Sequence, residues 1–111
     1  MIEKILYDYL STIKKLAIYL EQPKVKPNAF YIMEKTAGGQ TDKVNRATIV
    51  IQSYAQTLYD AALMNETIKT AMSDAIELDA ISRVEINSDY NYTDPTTKQY
   101  RYQAVFVVTH Y

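Results

Sequence analysis

Val84-Glu85-Ile86-Asn87-Ser88-Asp89-Tyr90-Asn91-Tyr92, then Thr93-Asp94-Pro95-Thr96-Thr97-Lys98, then Tyr100-Arg101-Tyr102-Gln103-Ala104-Val105-Phe106-Val107-Val108: this stretch decides the fold class. Its first part alternates larger side chains with polar ones, the period of two expected of a strand. The middle is rich in Asp, Pro and Thr, the composition of a turn. The last part alternates again. With the turn centred near Thr96, the expected partners are Val84–Val108, Ile86–Phe106, Ser88–Ala104, Tyr90–Tyr102 and Tyr92–Tyr100. Large meets large and small meets small, which is what a stable antiparallel register needs.

Upstream, residues 55–76 place Leu58, Ala61, Ala62, Ile68, Met72, Ala75 and Ile76 on one helical face, interrupted by Asn65. Alanine, leucine and methionine favour helix, and Ser53 followed by Gln56 has the spacing of a capping box. Residues 29–36 and 44–54 read as strands. Between them Ala37-Gly38-Gly39-Gln40-Thr41-Asp42-Lys43 holds both glycines of the chain and reads as a mobile hairpin loop. Pro23 and Pro27 make residues 22–28 an extended connector. A short strand over Leu16–Leu20 precedes it. At the start, Ile2, Ile5, Leu6, Tyr9, Leu10 and Ile13 follow the i, i+3, i+4, i+7 series of an amphipathic helix.

The expected architecture is one α+β domain over residues 1–111. It is an antiparallel sheet of four to five strands with two helices packed on one face. Two helices leave the other face uncovered, so that face should be polar. The final strand departs from this, because Val105 and Val107 alternate with Phe106 and Val108. Val50 stands in the same relation to Ile49 and Ile51. Either the sheet curves or the connector covers these side chains, or they pack against another subunit. Val50, Val105 and Val107 are therefore the candidate subunit interface, and Gly38, Gly39, Gln40, Thr41, Asp42 and Lys43 the candidate partner-contact loop.

Composition narrows the function classes. The 111 residues hold 12 basic and 13 acidic side chains, a formal net charge of -1. A dedicated nucleic-acid binder would carry a basic excess, so no specific nucleic-acid binding is expected. Lys14, Lys15, Lys24 and Lys26 form a local basic stretch, read as a solvated edge. The N-terminus lacks the apolar stretch of a signal peptide, and no uncharged run approaches the ~20 residues needed to span a bilayer. No membrane partner is expected. Eleven tyrosines fit either a half-buried sheet or a protein–protein interface.

The search for chemistry returns little. With no cysteine and one histidine, His110, one chain cannot assemble the usual zinc ligand set. A catalytic triad would need His110 held rigidly, yet it is next to the last residue. Asp89 with Asp94, and Glu77 with Asp79, are the nearest carboxylate pairs, placed in strands and turns where solvated acids are ordinary. Asp42 and Asp94 suit turns. Gly38-Gly39 matches neither phosphate-loop pattern. No catalytic, cofactor or metal site is expected, and the chain is not expected to be an enzyme.

Three strings carry a resemblance. They are Ile2-Glu3-Lys4-Ile5-Leu6-Tyr7-Asp8-Tyr9-Leu10, Ile51-Gln52-Ser53-Tyr54-Ala55 running into Leu58-Tyr59-Asp60-Ala61-Ala62, and the hairpin from Ser88 to Phe106. Together they resemble the tail-terminator (tail-completion, head–tail joining) proteins of long-tailed bacteriophages and prophages of Gram-positive bacteria. The resemblance implies a homo-oligomeric ring, commonly a hexamer, that ends the tail tube and docks the head connector. Its implied partners are the tail-tube protein and the connector or neck proteins. Its implied location is the virion, and the host cytoplasm during assembly. A head-closure or neck adaptor of the same gene block would share these features. A small ligand-binding regulatory domain is the rival from another class, and it predicts a deep enclosed pocket lined by tyrosines.

Overall fold

The computed structural model describes residues 1–41, 44–97 and 99–111. Helix α1 covers Ile2–Asp8 and widens into a π-helical turn over Tyr9–Ile13. Strand β1 is Ile18–Tyr19, β2 Phe30–Thr41 and β3 Val44–Ala55. Helix α2 runs Leu58–Asp74 and ends in a 3-10 turn at Ala75–Glu77, before β4 at Ile81–Asn91 and β5 at Tyr100–His110. The sheet order is β1-β2-β3-β5-β4. The fold is α+β as expected, but the sheet is mixed, because β1 pairs parallel with β2 through Ile18–Tyr31 and Tyr19–Ile32. The remaining pairs are antiparallel.

Both helices lie on the same face. One cluster joins Ile2, Leu6, Tyr9 and Leu10 of the first helix to Ile68, Ala71 and Met72 of the second. It packs them on Ile49, Ile51, Ala104, Phe106 and Val108 of the sheet. Tyr9 anchors the helices to each other by donating its hydroxyl to the Ala71 carbonyl at 2.9 Å.

The end of the first helix corrects the simple periodic reading. The Ser11 and Thr12 hydroxyls bond the carbonyls of Tyr7 and Asp8, competing for the groups that the helix ladder uses. The wider turn rotates Ile13 out of the core, leaving it 63% exposed. Lys15 then takes a left-handed backbone, φ 56°, which lets Leu16 N–H reach the Leu10 carbonyl at 2.9 Å.

Three further expectations change. The helix cap is Thr57, whose side chain accepts from Asp60 N–H at 3.1 Å, while Ser53 lies inside β3. Leu58 and Ile76 are exposed, and Asn65 is buried in the face they were assigned to. Gly38, Gly39, Gln40 and Thr41 are not loop but strand, opposite Ala47, Arg46, Asn45 and Val44. A Cβ on Gly38 would fall 2.9 Å from the Lys35 side chain, which lies across that position. Asp42 and Lys43 lie outside the described residues.

The hairpin register is also corrected. Val84–Val108 and Ile86–Phe106 pair as expected, but a bulge at Asn87 shifts the rest by one, giving Ser88–Val105, Asp89–Ala104, Tyr90–Gln103 and Asn91–Tyr102.

Candidate interaction surface

Alternation along each strand sorts the sheet into two faces. The face away from the helices carries a row of Phe30, Tyr54 and Arg101 across neighbouring strands, continued by Tyr92, whose N–H donates to the Arg101 carbonyl at 2.8 Å. The next row is Ile32, Gln52, Gln103 and Tyr90, followed by Glu34, Val50, Val105 and Ser88. Beyond it come Ala37, Thr48, Val107 and Glu85, then Gly39, Arg46, Thr109 and Arg83.

The first two rows close upon themselves. Phe30 stacks on Tyr54 with centroids 4.8 Å apart, and Tyr19 meets Phe30 edge-on at 6.1 Å. The Arg101 guanidinium lies 5.6 Å from the Tyr54 ring and 4.6 Å from the Tyr92 ring. Hydrogen bonds cross the same region. Gln22, from the connector, donates to the Tyr54 hydroxyl at 3.1 Å, and that hydroxyl donates to Gln52 at 2.9 Å. Gln52 donates to Gln103 at 2.8 Å, and Gln103 donates to the Tyr90 hydroxyl. Phe30, Ile32 and Tyr54 are consequently buried on a face that no helix covers.

The valine rows have no such cover. Val50 and Val105 are direct partners, Val107 is the next same-face residue along β5, and all three are only part-buried. The structure thus brings the three candidate interface residues together on the open face. Of the three explanations for an apolar open face, cover by the connector applies to the aromatic end, where Gln22 reaches Tyr54. The aromatic–amide rows were missed in the sequence. Their signal is that Arg101 and Gln103 share parity with Val105 and Val107, and so had to lie on the open face.

The chemistry-bearing side chains are dispersed. His110 pairs with Asn45 and Ile81 at the end of β5, its Nδ1 3.3 Å from the Tyr111 carbonyl. Asp94 accepts from Thr96 N–H at 2.9 Å, and this backbone bond holds its carboxyl below the usual range. Asp89 instead points to the helix side, where Lys69 lies 3.4 Å away and Asn65 donates at 3.2 Å. Lys14 pairs with Asp74 at 3.0 Å, and this bond raises the lysine's pKa. Among the described residues no group of acids and histidine is disposed to hold a metal ion. Among the described residues no helix is long and apolar enough to cross a membrane. The tyrosine-lined hollow by Tyr7 and Tyr19, about 440 Å³, is an open groove at the surface. Neither a protein-family model nor a curated protein matches the chain.

Proposed function

We propose that this chain is a structural protein of phage virion assembly, of the tail-terminator type. Copies form a ring at the head-proximal end of the tail, stop growth of the tube and join it to the head connector. The observation that carries the reading is the patch of Val50, Val105 and Val107. These part-buried apolar side chains stand on a sheet face without helix cover, beside amide rows that bond to one another. Such a patch packs against another subunit of the assembly. The near-zero net charge leaves little repulsion between copies. Gly38, Gly39, Gln40 and Thr41 at the end of β2, with Asp42 and Lys43 next in sequence, offer the contact to the tail tube.

The test compares wild type with Val107→Asp in solution, alone and with purified tail-tube protein, by light scattering. The variant should remain folded and fail to associate. A variant that unfolds instead would assign the valines to the intramolecular core and misplace the interface. Binding to connector protein without any effect on tube length would favour the neck-adaptor reading.

A further inference from the structure

The sheet ends in two unpaired backbone rows. β1 occupies the outer side of β2 only at Tyr31 and Ile32, so from Met33 to Thr41 that side has no strand beside it among the described residues. At the other end β4 pairs only with β5 among the described residues, which leaves its outer side open from Ile81 to Asn91. Unpaired strand edges are templates for a further strand.

Each edge also has an unfilled groove on its helix side. Beside β2 the groove is about 380 Å³, between Met1, Tyr7 of the N-terminal helix, Leu20, and Met33 of the strand. Beside β4 it is about 250 Å³, between α2 residues Lys69 and Ser73 and the side chains of Val84, Ile86 and Phe106. Ile86 is 48% exposed and Leu20 54% exposed. The charged rims are mixed in sign on both sides, Lys69 with Asp89 at one and Glu3 with Lys4 at the other.

We infer that the β4 edge of one copy pairs with the β2 edge of the next, continuing the sheet between subunits. The inference rests on the ring reading above and adds, to the valine-face contact proposed there, a second contact at the sheet edges. Strand direction supports it. β3 and β4 run opposite to β2 and β5, so a rotation that keeps both sheets upright sets β4 antiparallel to the neighbour's β2. Both sets of helices then stay on one side, and the two half-grooves meet as one, with α2 on one flank and the neighbour's α1 on the other. Val84 and Ile86 gain the cover that their own chain does not supply. Different surfaces of the two copies meet, so the contact is heterologous and closes into a ring when the rotation per copy allows. The bulges at Thr36 and Asn87 confine pairing to short regular stretches, disfavouring indiscriminate strand addition.

The chain itself provides the test. Ile86→Lys disables one edge and Leu20→Lys the other, each at an exposed position. Sedimentation should show each variant folded and its self-association weakened by about tenfold or more. An equimolar mixture should associate more strongly than either variant alone, because one intact β4 edge meets one intact β2 edge. Variants that assemble like wild type, or a mixture that stays monomeric, would overturn the inference while leaving the ring standing if wild type assembles. Wild type that stays monomeric even with tail-tube protein sinks both. A second measurement does not depend on those substitutions. Ala37 and Glu85 lie at the same level across the sheet, and the chain has no cysteine of its own. Copies carrying Ala37→Cys should form disulfides with copies carrying Glu85→Cys, and neither should do so alone. Equal cross-linking within one variant would mean a two-fold contact and end the proposal.

Discussion

β5 presents two apolar rows of similar composition with opposite fates. Ala104, Phe106 and Val108 are at most 1% exposed beneath the helices, whereas Val105 and Val107, one residue away in each case, are only part-buried. Hydrophobicity cannot account for the difference, since valine stands in both rows. Reach can: both helices pack on one face, and the connector reaches the other face only as far as Tyr54. Burial here is decided by where covering elements run out. The first way to break the comparison is by truncation. Phe106→Ala should cost about 3–5 kcal/mol in urea unfolding, the usual penalty for emptying a packed aromatic site. Val107→Ala in the isolated chain should cost about 1 kcal/mol or less, since its methyls are only partly removed from water. Equal costs would show that the valine row is covered within the monomer.

The covered face can be sharpened by alkali. Tyr31 stands on the helix side and donates to the Met64 carbonyl at 3.2 Å, and burial pushes its hydroxyl up from 10.0 to about 12. Burial likewise raises Tyr9, outweighing the opposing effect of Lys14. Unfolded tyrosine gives up its proton near pH 10, while the folded chain keeps it on Tyr31 until about pH 12. Stability from this site is therefore complete below pH 10 and falls as pH rises through that window. Tyr31→Phe should lose roughly 0.5–1.5 kcal/mol at neutral pH for the missing hydrogen bond, yet show a shallower alkaline decline. An unchanged alkaline decline would remove Tyr31 as its cause.

What could be read beforehand follows the same divide. Period-two and helical patterns located both helices, the C-terminal hairpin and the valine row, because each repeats over several residues. The misses turn on single residues and non-local contacts. Ser53 and Thr57 are both good caps by type, and only the length of β3 decides between them. The π turn depends on Ser11 and Thr12 hydroxyls choosing backbone carbonyls over water. The parallel pairing of β1 is a contact of two residues with a strand eleven or more positions away, too short to leave a pattern. Gly38-Gly39 resembles a loop by composition, yet both glycines pair in the ladder, their neighbour Arg46 belonging to a strand with strong β character.

Asn87 is the smallest of these misses with the widest consequence, and it supplies the finest test. Without a bulge, Ser88, Tyr90 and Tyr92 would follow Val84 and Ile86 onto the helix side, as the expected Tyr90–Tyr102 pairing required. The extra residue reverses parity. Tyr90 and Tyr92 join the open face, where they meet edge-on at 5.9 Å, and Asp89 turns to Lys69 and Asn65. A double-mutant cycle between Tyr90→Ala and Gln103→Ala should therefore give a coupling of a few tenths to about 1 kcal/mol, the range of direct cross-strand pairs. The cycle between Tyr90→Ala and Tyr102→Ala should give none, because those side chains now stand on opposite faces of the sheet. Should the coupling appear at Tyr102 and vanish at Gln103, the bulge is absent in solution. Tyr90 and Tyr92 would then belong to the covered side, and the open face would lose its aromatic edge.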